Sequence, residues 1–384
     1  MRVFVVAGEA SGDKLGAALM AGLRKHAPEV TFEGIGGDRM LSEGLNSLFP
    51  MDEISIMGIT EILSQYRSLK ARIRQTADAV IAAEPDVLVT IDLPEFGLRV
   101  AKLVKERSDV RTVHYVAPTV WAWRPGRAKR MARHIDQVLA LLPFEPPYME
   151  AAGMRCDFVG HPVVTDPVAT EAETAQFRQS MGIGAAPLAL ILPGSRRSEV
   201  SRLLPIFADV MSRLHAARPD LAFVLPAAPN VAGIVAEAIE TWPVKPHVIN
   251  PVSDGMSVKQ EAFAAADVAV AASGTVSLEL AAAQTPMVIA YDMNWLSRQI
   301  IGRMLRVDTV TLVNLVSDTR VVPEFIGAKC QPGPIADAVL AILKSPDAQR
   351  AAMALTMDRL GQGGLPPGER AALAVLDGLN QNGG

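Results

Sequence analysis

The stretch Leu188 to Val200, L-A-L-I-L-P-G-S-R-R-S-E-V, constrains the fold of this chain more than any other. Its five leading apolar residues suit one buried strand, and Pro193-Gly194-Ser195 ends that strand abruptly. Leu203, Phe207, Val210 and Leu214 then repeat at helical spacing, with Pro205 expected in or near the first turn, where its ring is tolerated. The order is strand, tight loop, helix. Gly194 lets backbone approach a ligand, Ser195 offers a hydroxyl and N–H donors, and Arg196 and Arg197 flank the positive end of the helix dipole. An anion such as phosphate fits this loop. So does a plain helix cap with two solvated arginines, and other stretches have to decide.

A chain of 384 residues has room for two domains, each with a good core. Its net charge of -4 argues against general nucleic-acid binding, leaving only local basic patches. Cys156 and Cys330 are too few for a disulfide framework and suit a reducing cytoplasm. No apolar run reaches the roughly 18 residues of a membrane span, and Val3 to Ala7 is too short for a signal sequence. Any membrane contact is therefore expected to be peripheral.

The first half opens like the second. Val3 to Ala7 reads as a strand, followed by the loop G-E-A-S-G-D at Gly8 and a helix from about Lys14 to His26. The loop lacks the G-x-G-x-x-G spacing of dinucleotide sites. Met51 to Leu63 is unusually apolar for a connection, which makes it core or, if exposed, a lipid-facing patch. Asp86 to Ile91 is a strand that delivers Asp92 at its carboxyl end, where open α/β sheets bind ligands; capping the next helix is its other role. After the strand Val110 to Val116, five basic residues and no acidic one lie between Arg124 and Arg133, beside Trp121 and Trp123. That pairing suits an anionic lipid surface or a phosphorylated amphiphile, against the default of a solvated basic helix. Asp166 to Gln176, polar and carrying Pro167, reads as an interdomain linker.

In the second half, Asp267 to Ala272 is a buried strand opening into Ser273-Gly274-Thr275 and a helix with Glu279 one turn inside. Two such loops in one half favour a nucleotide diphosphate, and Glu279 is placed to bind a ribose hydroxyl pair or to serve as a dipole partner. Trp295 to Arg306 forms a basic amphipathic pattern, either core-packed or interfacial. Asn314 sits in the apolar segment Val310 to Val316, an uncommon place for an amide without a partner. There is no D-x-D pair beside the loops, and the six histidines lack ligand spacing, so no metal and no cofactor is expected.

A-G-E-A-S-G-D at Ala7, M-G-I-T-E-I-L at Met57, I-D-L-P-E-F at Ile91, H-Y-V-A-P-T-V-W-A-W-R at His114 and F-V-G-H-P at Phe158 run in series. With L-P-G-S-R-R-S-E-V at Leu192, A-S-G-T-V-S-L-E at Ala272, and V-N-L-V near P-E-F-I, the chain resembles the lipid-A-disaccharide synthase family along nearly its whole length. The resemblance implies an α/β, GT-B fold: two Rossmann-like domains facing each other across a cleft. Residues 1–165 would bind acceptor and membrane, residues 166–359 the UDP-sugar, and residues 360–384 would rejoin the first domain. It implies an inverting, metal-independent transfer from UDP-2,3-diacylglucosamine to 2,3-diacylglucosamine 1-phosphate (lipid X). The products are lipid A disaccharide 1-phosphate and UDP.

Matching positions imply Asp92 as the base, with Glu9 and Ser11 near the reacting sugars, Arg196 on the diphosphate and Asn314 near the donor. Gly194, Ser195, Ser273, Gly274, Thr275 and Glu279 complete the expected donor site; Trp121, Trp123, Arg124, Arg127, Lys129 and Arg130 are expected at the acceptor or membrane. Glu95-Phe96-Gly97 departs from the Asp-Phe-Asn of many members, which puts contacts next to the base in doubt. A peripheral enzyme at the cytoplasmic face of the inner membrane is implied, with a homodimer left open. The rival readings are a UDP-sugar transferase of peptidoglycan synthesis, a dehydrogenase and a non-catalytic lipid- or nucleotide-binding protein.

Overall fold

The computed structural model describes residues 1–55, 59–124, 126–250, 255–293 and 306–381, with backbone alone at 59–66 and 256. The chain forms two compact units, one of residues 1–165 with 360–384 and the other of residues 166–359. The strands of the first unit are β1 Arg2–Ala7, β2 Thr31–Ile35, β3 Asn46–Ser47, β4 Val87–Ile91, β5 Arg111–Tyr115, β6 Gln137–Ala140 and β7 Arg155–Phe158. They form a parallel sheet in the order β3-β2-β1-β4-β5-β6-β7. The second unit contributes β8 Leu188–Leu192, β9 Ala222–Pro226, β10 His247–Ile249, β11 Val268–Ala272, β12 Met287–Tyr291 and β13 Glu324–Ile326. Their parallel order is β10-β9-β8-β11-β12-β13.

The two orders are the same winding. In each, the first strand of the unit lies beside the fourth, and the chain reverses direction across the sheet between them. That switch point leaves a crevice beyond the strand ends. The central strands β4, β5, β8 and β11 are buried along their whole length; β8 and β11 are unbroken apolar runs, as suits strands covered on both faces, whereas β4 and β5 also bury Thr90, Arg111, Thr112 and His114. Apolar clusters cover both faces of the first sheet, and one continuous cluster packs helices Arg197–Ala217 and Pro332–Lys344 onto the second.

Three sequence expectations shift. Pro205 lies nine residues into helix Arg197–Ala217 and not in its first turn. Both Pro205 and Ser201, whose carbonyl loses its helical partner, face solvent, so water can satisfy the gap. The expected linker is instead largely helix: Thr170 and Glu173 form a reciprocal capping box, and helix Glu171–Ser180 buries Phe177. In Met51 to Leu63, Ile54 is buried and residues 59–63 begin helix Ile59–Ala83, while residues 56–58 and the side chains beyond lie outside the described set. The expected amphipathic helix from Trp295 likewise falls outside the described residues, apart from Arg306. Among the described residues no helix is long and apolar enough to cross a membrane.

The chain returns to the first unit through helix Pro367–Gln381, which crosses helix Ala10–His26 at van der Waals range. A Cβ on Gly22 would stand 2.8 Å from the Gly368 carbonyl oxygen, and one on Gly368 2.6 Å from Ala18. Only glycine at both positions permits that approach. Glu369 bonds Lys25 at 2.8 Å and His26 at 2.9 Å, and Asp377 reaches Arg155 at 2.6 Å.

Candidate functional site

At the switch point of the first unit, β1 and β4 run side by side, with Ala7 paired to Ile91. Beyond their ends, Asp92 and Leu93 adopt left-handed backbone with φ of 49° and 40°, and Val116 at the end of neighbouring β5 has φ of 84°. Left-handed backbone at three non-glycine residues, one of them β-branched, is costly and gathers where geometry is being held for a purpose. The Asp92 N–H donates to the Tyr115 carbonyl at 2.9 Å, which locks the turn to β5. Leu93 lies over the first loop: a Cβ on Gly8 would stand 2.2 Å from its Cδ2. Ser55 donates to the Gly8 carbonyl from the other side.

Glu9 is the N-cap residue of helix Ala10–His26, half-buried, and Ser11 is exposed in that helix's first turn. Glu9, Ser11 and Asp92 thus share the carboxyl edge of two adjacent strands. Asp13, from the same loop, is spent on structure; it accepts the N–H groups of Gly37, Arg39 and Met40 at 2.8, 3.1 and 3.1 Å. Burial raises the Asp92 carboxyl above its ordinary range, opposed by the Leu93 N–H. A half-buried carboxylate with raised proton affinity can take a proton near neutral pH.

The residues behind Asp92 account for its neighbours. Thr90 bonds His114 Nδ1 at 2.8 Å, and His114 is fully buried, its pKa pushed down to about 3 by burial and by the positive charge of Arg127. His114 is therefore neutral. A Cβ on Gly97 would stand 2.9 Å from Thr90 Cβ, so the departure at Gly97 leaves room for this pair.

The basic segment divides in two. Trp121 is a correction to the lipid-facing expectation. It is only 8% exposed, donates its indole N–H to Glu145 at 3.3 Å and meets Phe144 edge-on at 5.2 Å. Its ring area and its one polar atom are both satisfied inside the unit, which removes any reason to face lipid. Arg127 is half-buried, near Glu95 at 3.6 Å. Trp123 is exposed, with the Arg124 guanidinium 4.4 Å over its ring, and Lys129 and Arg130 are exposed.

At the second unit's switch point, β8 and β11 carry the two loops side by side, with Leu192 paired to Ala271. A cavity of about 520 Å³ opens over them. Gly194, Ser195, Arg196, Ser273, Gly274, Thr275 and Glu279 all line it. Gly194 has φ of 104°, and a Cβ there would meet Glu199 Oε2 at 2.4 Å. Asn230 donates to the Ser195 carbonyl at 2.8 Å, fixing the loop from outside. Arg196, the residue before helix Arg197–Ala217, is 81% exposed and available to an anion.

Asn314 is not in this cavity. It is buried, its Nδ2 donates to Thr309 and Val322 at 3.2 and 2.9 Å, and its Oδ1 accepts from Val322 N–H at 3.0 Å. The amide that lacked a partner in the sequence ties two segments together. Lys259 and Phe263, which sequence reasoning missed, do line the cavity, with Lys259 ion-paired to Glu279. Only the lone cation in M-S-V-K-Q-E-A-F could have flagged them.

The lipid-A-disaccharide synthetase family model matches residues 3–366. A lipid-A-disaccharide synthase of Ruegeria pomeroyi is 61% identical over 383 residues, 99% of this chain and 96% of that protein. One of Rhodospirillum centenum is 46% identical, covering 98% and 94%. Among solved structures, UDP-GlcNAc 2-epimerase from Neisseria meningitidis bound to UDP-GlcNAc superposes with a TM-score of 0.66 at 14% identity, covering 100% of both chains. A glycosyltransferase from Rickettsia africae gives 0.60 at 13% identity, covering 99% of each. At such identity these structures attest the fold alone, two Rossmann-like units of the GT-B class. By the family match along nearly its whole length, the chain belongs to the lipid-A-disaccharide synthase family, glycosyltransferases of lipid A biosynthesis.

Proposed function

We propose that this protein transfers 2,3-diacylglucosamine from UDP-2,3-diacylglucosamine to lipid X, with inversion and without a metal. The observation that carries the reading is the half-buried Asp92 carboxylate at the switch point, its proton affinity raised by burial. In this reading Asp92 takes the proton of the acceptor's primary hydroxyl as that oxygen attacks the anomeric carbon. The bond from that carbon to the diphosphate breaks on the opposite face, and UDP leaves. Arg196 and the donors of Ser195 and Ser273 to Thr275 offset the leaving charge, an electrostatic task suited to groups already in place. Glu279 accepts from the ribose, while Glu9 and Ser11 contact the reacting sugars. The exposed Trp123, Arg124, Lys129 and Arg130 suit a peripheral contact with the anionic inner-membrane surface.

The test is UDP release from UDP-2,3-diacylglucosamine, with and without lipid X, for the parent and for Asp92→Asn. Loss of the base is expected to lower kcat by roughly 10²–10⁴-fold while UDP affinity stays within about twofold. The acid limb of the parent's kcat/KM is expected above the ordinary aspartate value of about 3.9, because the base must be ionised and its proton affinity is raised. No release by the parent would sink the synthase reading, and full activity in the variant would remove Asp92 from the mechanism.

A further inference from the structure

We infer that Lys259 is a positioning residue for the donor, fixing the Glu279 carboxylate so that it reads the ribose hydroxyls. The inference rests on the donor site proposed above and adds a residue to it. Lys259 lies on helix Met256–Ala265, and its Nζ meets Glu279 Oε2 across the cavity floor at 2.5 Å. The same ammonium stands 5.1 Å over the Phe263 ring, and all three side chains line the one cavity. Two attachments thus hold a side chain that otherwise keeps many rotamers.

The electrostatics explain why such a pair belongs here. A carboxylate in a site for a diphosphate faces a like charge and is driven away from it. Paired with Lys259, the Glu279 carboxylate adds no net charge to the cavity, so it can stay beside an anionic ligand. Oε2 is taken by the ammonium, and Oε1 is the atom that a ribose hydroxyl would reach. Both side chains are about one-third exposed, at 33% and 38%, so the pair is open to a ligand and is not sealed in the core. Arg196 differs: it is 81% exposed and 3.8 Å from the Glu199 carboxylate, as suits a direct phosphate contact.

The experiment compares UDP with 2′-deoxy-UDP binding, by calorimetry, in the parent, Lys259→Met, Lys259→Arg, Glu279→Ala and the double variant. One hydrogen bond to a charged acceptor predicts that the parent prefers UDP by about tenfold or more. Lys259→Met is expected to lose most of that preference and Lys259→Arg to keep it. The double variant should discriminate no less than Glu279→Ala alone, because Lys259 acts through Glu279. With the full substrates, donor KM should rise in Lys259→Met while kcat is kept.

A preference kept in Lys259→Met but lost in Glu279→Ala would overturn the inference and leave the ribose assignment standing. Equal weakening of both nucleotides by Lys259→Met would also overturn it, assigning Lys259 to the diphosphate. A preference untouched by Glu279→Ala removes the ribose contact and the inference with it. Failure of the parent to bind UDP sinks the donor reading itself.

Discussion

Gly194 is the sharpest test of how the loop after β8 is built, and Gly194→Ala is the perturbation. The backbone there has φ of 104°, a conformation that costs a side-chain-bearing residue roughly 1–3 kcal/mol. The added methyl would also lie 2.4 Å from Glu199 Oε2 and 3.1 Å from its Cδ. Glu199 cannot step aside freely: it is 8% exposed, hydrogen-bonded to Tyr291 and held in the first turn of helix Arg197–Ala217. Strain and overlap together come to about 3 kcal/mol, on the order of a hundredfold in an equilibrium constant.

That energy has two places to appear. If the loop keeps its shape, the native state carries the strain and the unfolding free energy falls. If the loop relaxes, UDP binding must restore the strained shape and its Kd rises. Urea unfolding and calorimetric UDP titration on the same preparation therefore report one sum, expected near 3 kcal/mol. Part of it is the contact with residue 199, so a double-mutant cycle with Glu199→Ala should show a coupling of about 1–2 kcal/mol. A Gly194→Ala variant with unchanged unfolding and a Kd within twofold of the parent would refute the reasoning.

Two further expectations concern the supports of each site. Asn314→Ala strands the buried N–H and carbonyl of Val322, so urea unfolding should show a loss of about 2–3 kcal/mol with UDP affinity kept; the opposite pattern would return Asn314 to the donor. Glu145, buried beside Trp121, has its pKa raised from 4.5 to about 7 by burial, against the hydrogen bonds from Leu142 and Trp121. Its folded pKa lies above its unfolded one, so its contribution to stability is full below about pH 4.5 and is lost as pH rises through about 7. The Trp121 indole N–H resonance, assigned by its disappearance in Trp121→Phe, should move downfield with a midpoint near pH 7 as its acceptor ionises. A resonance that stays flat from about pH 5.5 to 8.5 would refute the assignment.

What the sequence disclosed was local. Leu188 to Leu192 and Asp267 to Ala272 are apolar runs closed by small residues, and each run carries its loop and helix start in its own letters. The cavity lining drawn from those loops could therefore be read without coordinates, and Asp92 followed from its place at a strand end. Partners far along the chain were not legible. Nothing near Trp121 announces Glu145, and nothing near Glu279 announces Lys259, because sheet order and helix packing bring each pair together. Thr170 and Glu173 are an exception: the capping pattern was present, but the polar composition and Pro167 outweighed it. Asn314 shows the converse, since its oddity was visible while two of the three hydrogen bonds that resolve it depend on the return of Val322.

The helix Pro367–Gln381 has a consequence for how the protein is made. The ribosome releases the strands of the first unit early, yet the surface of helix Ala10–His26 that receives Gly368, Ala371 and Ala372 stays bare until the whole second unit has been synthesised. Domains usually fold in order of synthesis. Here the second unit, continuous in sequence, can complete itself while the first still waits for its last helix. During that interval the unfinished unit leaves the apolar face of helix Ala10–His26 uncovered, and synthesis of helix Pro367–Gln381 is the step that covers it.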